Sequence, residues 1–183
     1  MRKNTWLYVA LLLSGGACAE SHAEQVRDAR LSQADDNAKV REHTVEQQAK
    51  ERNEVIGDRY DSLRQEAAKS DEPGADDTED LLKLSQERAE YQSKAQEQLD
   101  KLAVRIDSAQ QKINVLGGRA PLALTTDLKT ARQEHQTLEQ EFVALRSVRS
   151  PNWEGDKSRL EQRLSKLEDR VTRLSDDIEN AAG

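Results

Sequence analysis

Over the C-terminal half of this chain, apolar residues recur at alternating steps of four and three. Ala95, Leu99, Leu102, Ile106, Ala109, Ile113 and Leu116 form one run. Leu124, Leu128, Ala131, His135, Leu138, Phe142 and Leu145 form a second, and Leu160, Leu164, Leu167, Val171, Leu174 and Ile178 a third. Such a step keeps residues on one side of an α-helix and averages the coiled-coil repeat. Gly117-Gly118 with Pro121, and Ser150-Pro151, separate the runs. Glycine ends a helix by allowing left-handed backbone, and proline cannot continue one. The pattern predicts an all-α protein with helices over about 77–116, 121–148 and 152–181, folded back by short connections into an antiparallel three-helix coiled-coil bundle spanning 77–183.

Register follows from the same positions, because facing residues of an antiparallel pair have numbers that sum to a constant. A sum of 302, centred on Pro151, sets Phe142 against Leu160, Leu138 against Leu164 and His135 against Leu167. A sum of 237, centred between Gly118 and Arg119, sets Leu99 against Leu138 and Leu102 against His135. Flanking charges favour the first register: Glu141/Arg163, Glu134/Arg170, Arg132/Glu168 and Arg146/Glu154 are opposed in sign. Each exposed pair is worth only about 0.2–1 kcal/mol, so charge selects the register and adds little stability.

Residues 18–76 read differently. Between 19 and 70 there are eight large apolar side chains, Val26, Leu31, Val40, Val45, Val55, Ile56, Tyr60 and Leu63, and Gly57 breaks the densest part. Asp35/Lys39 and Glu46/Lys50 are spaced to support a helix. The expectation is a polar helical or partly disordered stalk, at most about 70 Å long at ~1.5 Å per residue. Ser70 to Asp77 breaks the chain, after which Asp76 and Glu79 read as a capping box. Leu81, Leu82 and Leu84 lie in an overhang beyond the bundle, placed to meet Val55 to Leu63 or a partner.

Composition narrows the function. Charged residues make up 34% and aromatic residues 3% of 183, too little apolar mass for an ordinary globular enzyme core. Residues 1–17 carry Arg2 and Lys3 ahead of the apolar stretch Trp6 to Leu13, a pattern that reads as a signal peptide and is too short to span a bilayer. Loss of that segment leaves 26 basic residues against 35 acidic, a net charge of −9, which disfavours nucleic acid as a partner.

The run Ser14-Gly15-Gly16-Ala17-Cys18 resembles the lipobox of bacterial lipoprotein precursors, with Gly15 where Leu is usual. The resemblance covers the leader alone. It implies that the Cys18 thiol is diacylglycerylated, that the chain is cut before it and that the new amino terminus is acylated. The membrane is then a partner through N-terminal acyl chains, two or more of which suffice for stable anchoring. It also implies the bacterial cell envelope, on the periplasmic side of a membrane, and Ala19 after the cysteine favours the outer membrane under enteric sorting rules. Ala17-Cys18-Ala19 also reads as an A-x-A site for ordinary signal peptidase, which would release a soluble periplasmic protein.

No catalytic constellation emerges from the residues. His22, His43 and His135 are far apart and lack metal-ligand spacing, and no glycine loop is patterned to cradle phosphate, so neither an enzymatic role nor a cofactor or metal is expected. The leading expectation is a structural or adaptor lipoprotein that holds an unknown envelope protein at the membrane, through the apolar residues left exposed: Leu81, Leu82, Leu84, Tyr91 and the bundle end near Val148 and Trp153. A periplasmic holdase-type chaperone is the alternative, and one or more stripes mediating a homo-oligomer is a further reading. Narrow apolar stripes count against a lipid-surface helix, which needs a wide apolar face.

Mass spectrometry of protein purified from the envelope checks the anchor. The expected amino terminus is an acylated Cys18; a free amino terminus at Glu20 excludes lipidation.

Overall fold

The computed structural model describes the backbone of residues 10–68, 75–147 and 152–182, and side chains of 22–68, 78–146 and 152–182. The described chain is all-helical with four long helices: α1 (Ala10–Ala67), α2 (Ala75–Leu116), α3 (Leu122–Ser147) and α4 (Trp153–Ala182). A single 3-10 turn, Gly117–Arg119, joins α2 to α3.

The helix ends have local causes. Gly117 takes φ +57°, the left-handed conformation that ends α2. The Ala120 amide then donates to the Gly117 carbonyl at 3.1 Å, and the Leu124 amide to the Pro121 carbonyl at 3.1 Å, starting α3. At the start of α4 the Asp156 amide donates to the Asn152 carbonyl at 3.0 Å, and Glu154 and Asp156 place negative charge where the helix dipole favours it. A side chain at position 155 would collide with that of Asn152, so Gly155 lets Asn152 fold over the first turn.

The three stripes meet in one core. Leu99, Leu138, Phe142, Leu167, Val171, Leu174 and Ile178 are all at most 2% exposed, within a continuous cluster from α2, α3 and α4. Glu141 pairs with Arg163, and Glu134 with Arg170 at 2.9 Å, as expected beside a core register whose facing positions sum to 302. Arg132 and Glu168 do not meet; they turn to α2, where Arg132 donates to Gln110 at 2.8 Å and Glu168 lies 3.8 Å from Arg105. Arg146 likewise stacks over Phe142, 5.6 Å from the ring centre.

The stalk expectation is corrected. Residues expected to project ahead of a three-helix bundle instead form the 58-residue α1, which lies antiparallel along α2 as a fourth helix. Contacts run from Lys112–Asp35 at 2.5 Å to Arg64–Gln86 at 2.6 Å. Gly57 does not break the helix. Glycine costs roughly 1 kcal/mol in a helix interior, and α1 continues through it with Ile56 and Tyr60 half-buried on either side. Asp35 and Glu46, spaced for partners Lys39 and Lys50 in their own helix, form their ion pairs across the seam with Lys112 and Lys101.

The α1–α2 seam is built from alanines and a few larger apolar residues at steps of eleven. Ala34, Val45, Ile56 and Ala67 recur in this way, as do Ala38, Ala49 and Tyr60, and every one of these is buried or half-buried. On α2, Ser93, Val104 and Val115 recur at the same step on the side away from the apolar stripe. Eleven residues close three helical turns almost evenly, so a nearly straight helix keeps such a face against its neighbour.

Leu167→Ala, at a side chain 1% exposed, is expected to destabilise by about 2–5 kcal/mol in chemical denaturation. Ala49→Leu, at a seam position 2% exposed, should cost about 1–3 kcal/mol by overpacking, whereas Val40→Leu on the open face of α1 should be neutral within about 0.5 kcal/mol. Equal effects at residues 49 and 40 would reject the seam.

Candidate functional site

The contact residues Leu81, Leu82, Leu84, Tyr91 and Trp153 lie toward the end of the molecule where α2 and α4 begin, and they divide into two groups. Trp153 is 7% exposed and makes an edge-to-face contact with Tyr91, ring centres 5.6 Å apart. Arg88 lies over Trp153 at 5.0 Å and Lys157 over Tyr91 at 5.3 Å, so two cations cap the pair. The Tyr91 hydroxyl donates to the Lys157 carbonyl at 3.3 Å. Burial, with the Glu161 charge nearby, pushes the Tyr91 phenol up to about 12. Tyr91 and Trp153 therefore seal the bundle end.

Leu81 and Leu84 form the other group, 68% and 41% exposed, with Leu82 half-buried between them. α1 reaches this level only partly. Tyr60 and Ser85 share a hydrogen bond of 2.9 Å, and Arg64 donates to Gln86, whose amide donates to Glu90 at 2.6 Å. Glu79 pairs with Lys83 at 3.0 Å, and its carboxylate holds the Lys83 ammonium above the usual range by hydrogen bond and charge. The side chains of Cys18, Asp76 and Val148 lie outside the described residues; residue 18 falls within the backbone of α1.

His135 is buried and sits against the backbone of α2, its Nε2 2.9 Å from the Leu99 carbonyl. A carbonyl only accepts, so Nε2 carries a proton. Nδ1 faces Glu139 at 3.7 Å, so the ring has an acidic neighbour that the facing-residue arithmetic did not include.

Sequence reasoning missed the polar side of α2, because a search for heptads passes over an eleven-residue step. Along this side the charges alternate. Asp35, Arg41, Glu46 and Arg52 of α1 face Lys112, Asp107, Lys101 and Asp100 of α2, at 2.5, 3.1, 2.7 and 3.9 Å. Lys112 is the most buried of these, with its side chain 8% exposed and Glu179 of α4 also within 3.8 Å. A buried ammonium of this kind requires its carboxylates. Near Arg52 the seam opens into a groove of about 720 Å³.

Among the described residues no group of histidine, cysteine or acidic side chains is placed to hold a metal ion, and no helix is long and apolar enough to cross a membrane. Comparison with protein families, with curated proteins and with solved structures finds no match to this chain.

The Lys101 hydrogen bond and charge hold the Glu46 carboxyl below its ordinary value, and the same bond raises Lys101. For Glu46 the stabilisation is present above the unfolded carboxylate pKa and is lost as pH falls through the lowered folded value. For Lys101 it is present below the unfolded lysine pKa and is lost as pH rises through the raised one. Denaturation midpoints of wild type and Glu46→Gln should therefore differ near neutral pH and converge in acid, below about pH 4. A gap that persists unchanged in acid would contradict the pairing.

Proposed function

We propose that this chain is an envelope-anchored lipoprotein that acts as a structural or adaptor protein, holding a partner protein at the membrane. The observation that carries the reading is the exposure of Leu81 and Leu84 at the far end of a helical body whose other large apolar side chains on α2 are buried or half-buried. The lipobox-like run ending at Cys18 supports the anchor. In this reading α2, α3 and α4 serve as an antiparallel three-helix coiled-coil unit, and α1 braces it.

The anchor and the exposed leucines belong to opposite ends. α1 runs antiparallel to α2, so the start of α1 lies toward the α2–α3 turn, and Leu81 lies about 70 Å away from residue 18 at ~1.5 Å per residue. A helix stiffened along most of that length keeps the contact site at a set height above the membrane, where a flexible tether would let it wander.

In-cell crosslinking from the envelope tests this. Leu81→Glu with Leu84→Glu should abolish crosslinks to the partner while leaving helicity and melting unchanged. If crosslinks join only copies of this chain, the apolar end is a self-association surface. If the purified protein instead suppresses aggregation of several unrelated unfolded clients at near-stoichiometric ratio, the holdase function replaces the adaptor.

A further inference from the structure

The core stripe of α2 runs on past the helices that cover it. At about 3.6 residues per turn, eighteen residues complete five turns, so Leu81 and Leu84 stand in line with Leu99 and Leu102, and Arg88 and Tyr91 with Ile106 and Ala109. Leu99, Leu102, Ile106 and Ala109 are buried against α3 and α4. Arg88 and Tyr91 still meet Trp153 at the start of α4. Leu81 and Leu84 lie beyond that cover, 68% and 41% exposed. α1 occupies a different side of α2 at this level, held there by the Tyr60–Ser85 and Arg64–Gln86 hydrogen bonds.

Continuity with the core sets what the two leucines accept. Farther along α2 the same spacing is met by helices that carry large apolar residues at alternating steps of three and four. From Leu81 to Tyr91 the stripe runs about 15 Å, almost three turns of a docked helix. Charge narrows the partner further. Asp80 and Glu87, seven residues apart and both exposed, flank the leucines on the edge away from Ser85 and α1, and neither forms an ion pair among the described residues. Lys83, one turn away, is held by Glu79 at 3.0 Å. A helix with lysine or arginine at a seven-residue step beside its apolar residues complements this edge.

We propose that Leu81 and Leu84 bind an amphipathic helix of a different protein, one with an apolar heptad stripe flanked by basic residues, which docks end-on to α3 and α4 and extends the core past Trp153. The proposal rests on the adaptor reading and names its partner's chemistry. A second copy anchored in the same membrane does not fit this surface. Set parallel, its α3 and α4 would collide with those of the first copy; set antiparallel, its amino terminus would point away from the membrane.

Two labelled peptides of three heptads test the assignment by fluorescence anisotropy with the full-length chain. Both carry leucine at the core positions; one has lysine and the other glutamate at the flanking positions, so like charges keep each from pairing with itself. The lysine peptide should bind at least about ten-fold more tightly than the glutamate peptide. Leu81→Ser with Leu84→Ser should weaken its binding about ten-fold or more while the melting temperature stays unchanged, since both side chains are exposed. That variant keeps every charge, so the loss reports the apolar stripe rather than attraction to an acidic protein. Asp80→Lys with Glu87→Lys should reverse the preference between the peptides. Equal binding of the two peptides overturns the proposal, as does undiminished binding by the serine variant. A dimer of the chain alone in sedimentation that the serine variant dissolves also overturns it, in favour of a second copy. If in-cell crosslinks depend on Leu81 and Leu84 but neither peptide binds, the helical partner is rejected and the adaptor function stands.

Discussion

α2 is packed on two sides, and the rest of the architecture follows from how it satisfies both. Its apolar stripe, from Ala95 to Leu116, is buried against α3 and α4 in the only apolar cluster of this size among the described residues. Its opposite side, with Ser93, Val104, Ser108 and Lys112 buried, lies against α1. A heptad and an eleven-residue step coexist on one helix because each neighbour reads only its own face. The apolar side provides the main driving force, since burial of large aliphatic side chains contributes about 1.5–3 kcal/mol each. Alanines and serines at the polar side contribute less area and permit close approach.

That asymmetry makes charge more informative at the seam than in the core. Asp35 and Glu46 are eleven residues apart, as are Arg41 and Arg52, and Lys101 and Lys112. A slip of half that distance sets like charges opposite one another, while a slip of the whole repeat re-forms two of the pairs, Glu46 with Lys112 and Arg52 with Asp107. The Tyr60–Ser85 and Arg64–Gln86 bonds at the end of α1 then distinguish the native setting from the repeat. A seam of half-exposed ion pairs buries fewer large aliphatic side chains than the core does.

The functional features sort along the same division. Tyr91 and Trp153 belong to the core side and close it, with Arg88 and Lys157 covering the rings. Leu81 and Leu84 stand on α2 beyond the point where α3 and α4 cover it, which leaves them open. The groove at Arg52 and Ser93 lies where seam packing relaxes between α1 and α2, with Arg146 of α3 at its rim. Lys112 is the counterexample: it bridges Asp35 of α1 and Glu179 of α4, tying the seam to the core.

The sequence by itself determined the all-helical class, the end of α2 at Gly117, and the pairing of Glu141 with Arg163 and of Glu134 with Arg170. Local rules suffice for these: a period that keeps Leu160, Leu164 and Leu167 on one side, a glycine at 117 that accepts left-handed backbone, and a short connection that allows only an antiparallel return. Only the tertiary structure decided where α1 goes. Eight large apolar residues over 52 positions carry too weak a burial signal to separate a free stalk from a docked helix. Where α1 docks is instead specified by pairs such as Asp35 with Lys112, 77 positions apart, whose partner choice depends on distance in space.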